Sequence, residues 1–122
     1  MANKEAALSF LRMCASGKAR EAHSKFAAPG FRHHNPYFPG TADALIAGME
    51  DNARQFPDKT LDVKRALEDG DLVAVHSQVR MKPRDRGIAV VHLLRFEGGR
   101  VAEFWDIAQA VPEESSNQNG MF

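Results

Sequence analysis

Under the strand register derived below, Asp106 is a lone carboxylate on an apolar face with Val90, Phe104 and Ala108, and His76 and His92 each interrupt an apolar run, at residues 72–79 and 88–96. Desolvation raises a carboxylate's pKa and a neighbouring imidazolium lowers it, so such a set can be poised for general acid–base work near neutral pH. The plainer reading makes Asp106 an exposed strand residue or a hydrogen-bond acceptor, and each histidine a satisfied structural imidazole. His33 and His34 are adjacent, so in an extended segment at most one faces inward; Asn35 adds an amide beside them. Arg65 can meet an anionic ligand or Asp106, or lean toward the edge of a sheet. No His-x-His or Glu-x-x-His spacing sets two ligands on one element, so no metal is expected. Gly-rich phosphate loops and Ser/His/Asp or Cys/His signatures are absent as well.

The elements that must position these groups fall into two blocks. Asn3 is expected to cap a first helix with Ala7, Leu11, Cys14 and Ala15 on one face and Gly17 at its end. A second helix carries Ala19, Ala22, Phe26 and Ala27, with His23 on the same face, until Pro29 and Gly30 stop it. Residues 31–35 read as a short extended piece and 36–40 as a loop. Thr41 then caps a third helix presenting Leu45, Ile46, Met49, Ala53 and Phe56, closed by Pro57. From Thr60 the period becomes twofold, and turn signals at Asp69-Gly70, residues 83–87 and Glu97-Gly98-Gly99 divide the remainder into four antiparallel strands. Residues 113–122 form a polar tail, although Met121 and Phe122 can dock on the body or on a neighbour.

Register decides which polar groups meet. A two-residue turn at Asp69-Gly70 puts Leu61, Val63, Arg65 and Leu67 on one face with Leu72, Ala74, His76 and Gln78. A three-residue turn at Glu97-Gly98-Gly99 sets His92 against Phe104 and Val90 against Asp106. Placing Lys82 opposite Ile88 then brings His76 and Gln78 to the side of His92 and Asp106. Trp105 has the opposite parity and is expected between sheet and helices or at a subunit contact. Val73, Val75, Val79 and Met81 make the other face of their strand apolar too, and a homodimer through the sheet would cover it.

Bulk properties narrow the partners. A chain of 122 residues suits one domain, 1–122, that buries roughly two-thirds of its unfolded surface. Its 16 basic and 16 acidic residues cancel and are interspersed, which disfavours nucleic acid. No apolar run approaches the ~20 residues of a membrane span, no secretory signal is evident, and Cys14 is the only cysteine. A cytoplasmic protein with a buried, unpaired thiol is expected.

Several strings add a resemblance: His33-His34-Asn35-Pro36; Gly70-Asp71-Leu72-Val73-Ala74-Val75-His76-Ser77; Arg95-Phe96-Glu97-Gly98-Gly99-Arg100-Val101-Ala102-Glu103-Phe104-Trp105-Asp106; and the ending 112–122. With the order of elements, they resemble the SnoaL-like polyketide cyclase group of the NTF2-like superfamily, and most of all its predicted aldol-condensation proteins. The resemblance implies an α+β cone in which helices pack on a strongly curved, mainly antiparallel sheet around a deep pocket, in a homodimer without metal or organic cofactor. It also implies that an acidic residue on the last strand, here Asp106, serves as acid/base in intramolecular aldol closure. The subgroup pattern has an acidic residue where His92 stands and a histidine where Phe104 stands, so the chain departs from it at two positions. The functional expectation is a cofactor-independent cyclase or isomerase acting on a small carbonyl compound. Asp106 would move a proton, His76 or His92 would donate to the enolate oxygen, and His33, His34, Asn35, Arg65, Gln78, Val90 and Phe104 would line the pocket. The alternative is a module that binds a small apolar ligand, or assembles through its sheet, without chemistry.

Overall fold

In the computed structural model, which describes residues 1–122, helices α1 (Asn3–Ala15), α2 (Ala19–Phe26) and α3 (Ala42–Gln55) accompany strands β1 (Ala27–His33), β2 (Thr60–Asp69), β3 (Leu72–Arg80), β4 (Ile88–Glu97) and β5 (Arg100–Ala110). The chain is α+β, with one five-stranded sheet ordered β1-β5-β4-β3-β2. Its four long strands form the expected antiparallel meander, and β1 adds itself in parallel beside β5.

Two helix boundaries differ from expectation. Helix α1 starts one residue early, with Ala2 as its N-cap, because the Glu68 carboxylate accepts the Lys4 backbone N–H at 2.6 Å and takes the role assigned to Asn3. Helix α2 ends at Phe26, before Pro29 and Gly30, which lie in an irregular stretch of the edge strand β1. A proline is tolerated there because the ladder is already interrupted. Thr41 caps α3 as expected, its hydroxyl accepting the Ala44 N–H at 3.2 Å. No helix is long and apolar enough to cross a membrane.

The core lies between the helices and one face of the sheet. Phe10 of α1, absent from the expected face, is fully buried and meets Phe104 edge-on at 6.0 Å and Phe31 at 6.4 Å. His23 sits in this aromatic cluster, 4.9 Å from Phe10 and 5.0 Å from Phe31, and its Nδ1–H donates to the Ala19 carbonyl. Burial lowers its pKa, so a neutral imidazole packs there as an aromatic ring.

Three registers require correction. Gly98 and Gly99 both have positive φ and form a two-residue turn between Glu97 and Arg100, whose twist matches the strands better than a three-residue loop. A bulge then places Ala102 out of pairing, since Phe96 faces Val101 and Arg95 faces Glu103. The pairs become His92 with Asp106 and Leu94 with Phe104, two residues from the expected register but with parity kept. The β2–β3 turn is Gly70-Asp71, with Asp69 opposite Leu72, and a second bulge at Lys64 puts Leu61 and Val63 on the opposite face from Arg65 and Leu67.

The third correction moves functional candidates. The β3–β4 ladder closes at Val79 opposite Ile88, not at Lys82. Beyond it, Arg80 and Lys82 bond to Asp85, and Gly87 lies where an added Cβ would come within 2.7 Å of the Val79 carbonyl. The shift is by an odd number of residues, so His76 and Gln78 leave the face of His92 and Asp106.

The outer sheet face carries its own network. Glu103, 6% exposed, accepts bonds from His34 at 2.6 Å, Arg95 at 3.2 Å and Arg32 at 3.3 Å. These partners, His34 first, hold its carboxyl down to about 2 from an ordinary 4.5. The folded pKa is depressed, so the stabilisation is present above about 4.5 and is lost as pH falls toward 2. Urea titrations of Glu103→Gln and parent should therefore differ near neutrality and converge in acid; equal differences at both pH values would contradict this assignment.

Candidate active site

A cavity of about 430 Å³ opens between α1, α3 and the inner face of β2, β3, β4 and β5. Fourteen of its twenty-one lining residues are hydrophobic, which makes the few polar ones informative. They include Asp106, His92, Asn35, Asn52 and Lys59.

Asp106 reaches the cavity because the β4–β5 register places it opposite His92 on the helix side of the sheet. Its side chain is 23% exposed, so the carboxylate remains accessible from the cavity. Asn35 holds it: Nδ2 donates to Asp106 Oδ2 at 3.2 Å while Asn35 Oδ1 accepts the Tyr37 N–H at 3.0 Å. With the oxygen committed to the loop, the amide nitrogen is the end that meets the carboxylate. His33 secures the same loop, since Nε2–H donates to the Pro39 carbonyl at 2.7 Å and Nδ1 accepts the Asn35 N–H at 3.1 Å. Both ring nitrogens are thus spent on backbone, and His33 positions Asn35 without lining the cavity.

His92 Nε2 lies 3.8 Å from Asp106 Oδ1, beyond a hydrogen bond. Its ring stacks on Phe104 at 5.4 Å with an interplanar angle of 21°, and Nδ1 is buried without a partner. Burial pushes its pKa down, Asp106 opposes that shift and Lys59 adds to it; the imidazole is neutral at neutral pH. His92 and Phe104, expected opposite each other, are offset by the register, yet their rings stack.

Val90 and Phe104 line the cavity with these groups. His76, Gln78, Arg65 and His34 do not. Arg65 Nη1 donates to His76 Nδ1 on the outer face, and Arg65 Nη2 donates to the Phe122 carbonyl oxygen at 2.8 Å. The Phe122 ring stacks on His76 at 5.7 Å, so the tail docks on the body. Gln78 donates to the Arg86 carbonyl and fixes the β3–β4 loop. His34 stacks on Trp105 at 5.0 Å and 9°, which places the indole on the outer face instead of between sheet and helices.

Lys59 and its partner Asn52 are polar groups of the cavity that sequence reasoning missed, Lys59 being the charged one. Lys59 follows Pro57-Asp58 in what reads as a surface turn, and only the packing of that turn against the cavity reveals it. Its Nζ donates to Asn52 Oδ1 at 2.8 Å, and burial lowers its pKa against the pull of Asp106 and Cys14. Cys14, at the cavity wall, is the converse case: burial raises its thiol to about 12, with Lys59 opposing. A thiol is a poor nucleophile. Native protein should therefore resist iodoacetamide at pH 8 and react readily in denaturant; fast native labelling would show that the wall opens.

The cavity mouth is shaped by Phe38. An added Cβ on Gly48 of α3 would meet the Phe38 ring at 2.4 Å, so the glycine provides the space in which the ring packs. No group of three or more His, Cys, Asp or Glu side chains is gathered to hold a metal ion.

The model of the SnoaL-like domain matches residues 7–104, most of the chain. The chain belongs to the SnoaL-like domain family. Solved structures of similar fold include a predicted SnoaL-like polyketide cyclase from Jannaschia sp. CCS1, at 20% identity and TM-score 0.73 over 88% of this chain and 85% of that one. A predicted isomerase of the SnoaL-like family from Agrobacterium tumefaciens shares 12% identity at TM-score 0.72, over 90% of this chain and all (100%) of that one. AclR, a predicted hydroxylase from Streptomyces galilaeus, shares 24% identity at TM-score 0.71 over 88% of each chain. No curated protein sequence matches significantly. At these identities the likeness is one of fold, and the differing chemistries named for the three relatives leave this SnoaL-like chain's activity to be argued from its own residues.

Proposed function

We propose that the protein is a cofactor-independent cyclase or isomerase that moves a proton beside the carbonyl of a small, largely apolar compound. One observation carries the reading: a carboxylate fixed by Asn35 opens into a mainly apolar cavity that it shares with a neutral histidine. A charged group is costly in such a place and poorly suited to apolar binding alone. Asp106 acts as base toward the carbon next to the carbonyl. His92 donates to the developing enolate oxygen, as a neutral imidazole can, and Asp106 returns the proton. Val90 and Phe104 supply apolar contact. His76, on the outer face, has no part in this scheme.

The proposal extends to a cytoplasmic homodimer with no nucleic-acid or membrane partner. Leu67, Leu72 and Ile107 are 67%, 45% and 58% exposed, and the unpaired Cys14 suits a reducing compartment. The non-catalytic reading draws on the 3.8 Å gap between His92 and Asp106, although such contacts often tighten only around a bound substrate.

The test is hydrogen–deuterium exchange at the α-carbon of small apolar ketones, followed by NMR. Exchange by parent protein above the buffer rate supports the enzyme. Ketones that raise the melting temperature without any accelerated exchange would establish a binding module instead.

A further inference from the structure

Lys59 stands apart from the other lysines. Lys4, Lys18, Lys25, Lys64 and Lys82 are at the surface, whereas Lys59 is half-buried and lines the cavity with Asp106 and His92. Its Nζ has one hydrogen bond, to Asn52, and forms no ion pair. An ammonium lining a mainly apolar cavity loses solvation that one amide oxygen replaces only in part, so burial lowers the Lys59 pKa and favours the neutral amine relative to a surface lysine. A neutral amine facing an apolar cavity is a nucleophile toward carbonyl carbon.

We infer that Lys59 captures aldehydes or ketones in this cavity as a covalent imine. The Nζ lone pair attacks the carbonyl carbon, forming a C–N bond while the C=O π electrons take a proton at oxygen. The nitrogen then forms C=N as that oxygen leaves as water, so amine, carbonyl and one proton become a protonated imine and water. The proton taken up leaves a positive charge on the imine nitrogen, within the field of the Asp106 carboxylate. Imine formation needs Lys59 and the cavity alone. The subsequent loss of an α-hydrogen, with the C–H electrons flowing into C=N to give an enamine, rests on the proposed role of Asp106 as base. The groups facing Lys59 are Asp106 from β5, His92 from β4, Cys14 from α1 and Asn52 from α3. With the thiol held protonated, only Asp106 supplies a counter-charge.

The test uses phenylacetone, an apolar ketone with exchangeable α-hydrogens, and cyanoborohydride to reduce any imine to a stable secondary amine. Peptide mass mapping of the parent protein should find the adduct on Lys59, formed at least tenfold faster than on any surface lysine. Lys59→Arg and Lys59→Met, checked for parent-like circular dichroism and melting, should lose it. Labelling spread evenly over the surface lysines, or none at Lys59, would overturn the inference without touching Asp106, because the parent's α-deuterium exchange is scored separately. Labelling of Lys59 with no α-exchange would support the imine and sink the proposed base.

Discussion

Asp106→Asn is expected to lower α-hydrogen exchange by about 10²- to 10⁴-fold, the usual range for loss of a positioned general base, while the melting temperature stays close to the parent's. The substitution keeps shape and removes the negative charge and the proton affinity together. Asn35 Nδ2 can still donate to the side-chain oxygen that replaces Asp106 Oδ2, so the loop across the cavity keeps its anchor. The His92 ring is held by Phe104, not by the carboxylate, so its position does not depend on the charge. The comparison is between initial rates of deuterium uptake on the same ketone, and a variant as fast as the parent would remove Asp106 from the chemistry.

Phe104→Ala should have the largest effect on stability, about 3–5 kcal/mol as for other buried phenylalanines. Phe104 is 0% exposed, on a strand paired on both sides, and its ring meets Phe10, Phe31 and His92 at 6.0, 6.4 and 5.4 Å. It belongs at once to the core and to the cavity wall, so truncation merges a new void with the existing space and leaves the His92 ring without its stacking partner. Urea denaturation at neutral pH measures the cost. A loss below about 1 kcal/mol would show that the neighbours collapse onto the site and that Phe104 is not the joint between core and cavity.

Much of this arrangement was legible in the residues. Periodicity located three helices and four strands, and the Thr41 cap was readable from its type and place. The pairing of β4 with β5 has the expected parity, because a turn one residue shorter than expected and a bulge displace the register by two in total. Asp106 and His92 accordingly remained on one face.

The register and strand-boundary failures share a cause, which is backbone geometry that side-chain patterns do not encode. The loop between β3 and β4 has enough polar residues for several closures, and the close approach of Gly87 to the Val79 carbonyl selects one of odd parity. That single shift carries His76 and Gln78 to the outer face. Pro29 and Gly30 read as a helix stop, yet the helix ends at Phe26 and β1 runs through them as an irregular edge strand. Lys59 was hidden for a different reason: a lysine after a Pro-Asp turn has no periodicity to betray it, and its withdrawal from water follows only from how α3 and β2 close around the cavity. Outside the helices, Glu68 replaces Asn3 at the start of α1 through a contact 64 residues away in sequence, which no local signal contains.

The most direct measurement is a crystal structure of the protein with an unreactive apolar ketone bound. The account predicts the ketone inside the cavity, with its α-carbon within about 3.5 Å of an Asp106 carboxylate oxygen, the spacing of a reactive arrangement, and its oxygen facing His92 or Lys59. A ketone bound on the outer sheet face, or in the cavity with its α-carbons turned away from Asp106, would contradict the claim that this carboxylate is the base.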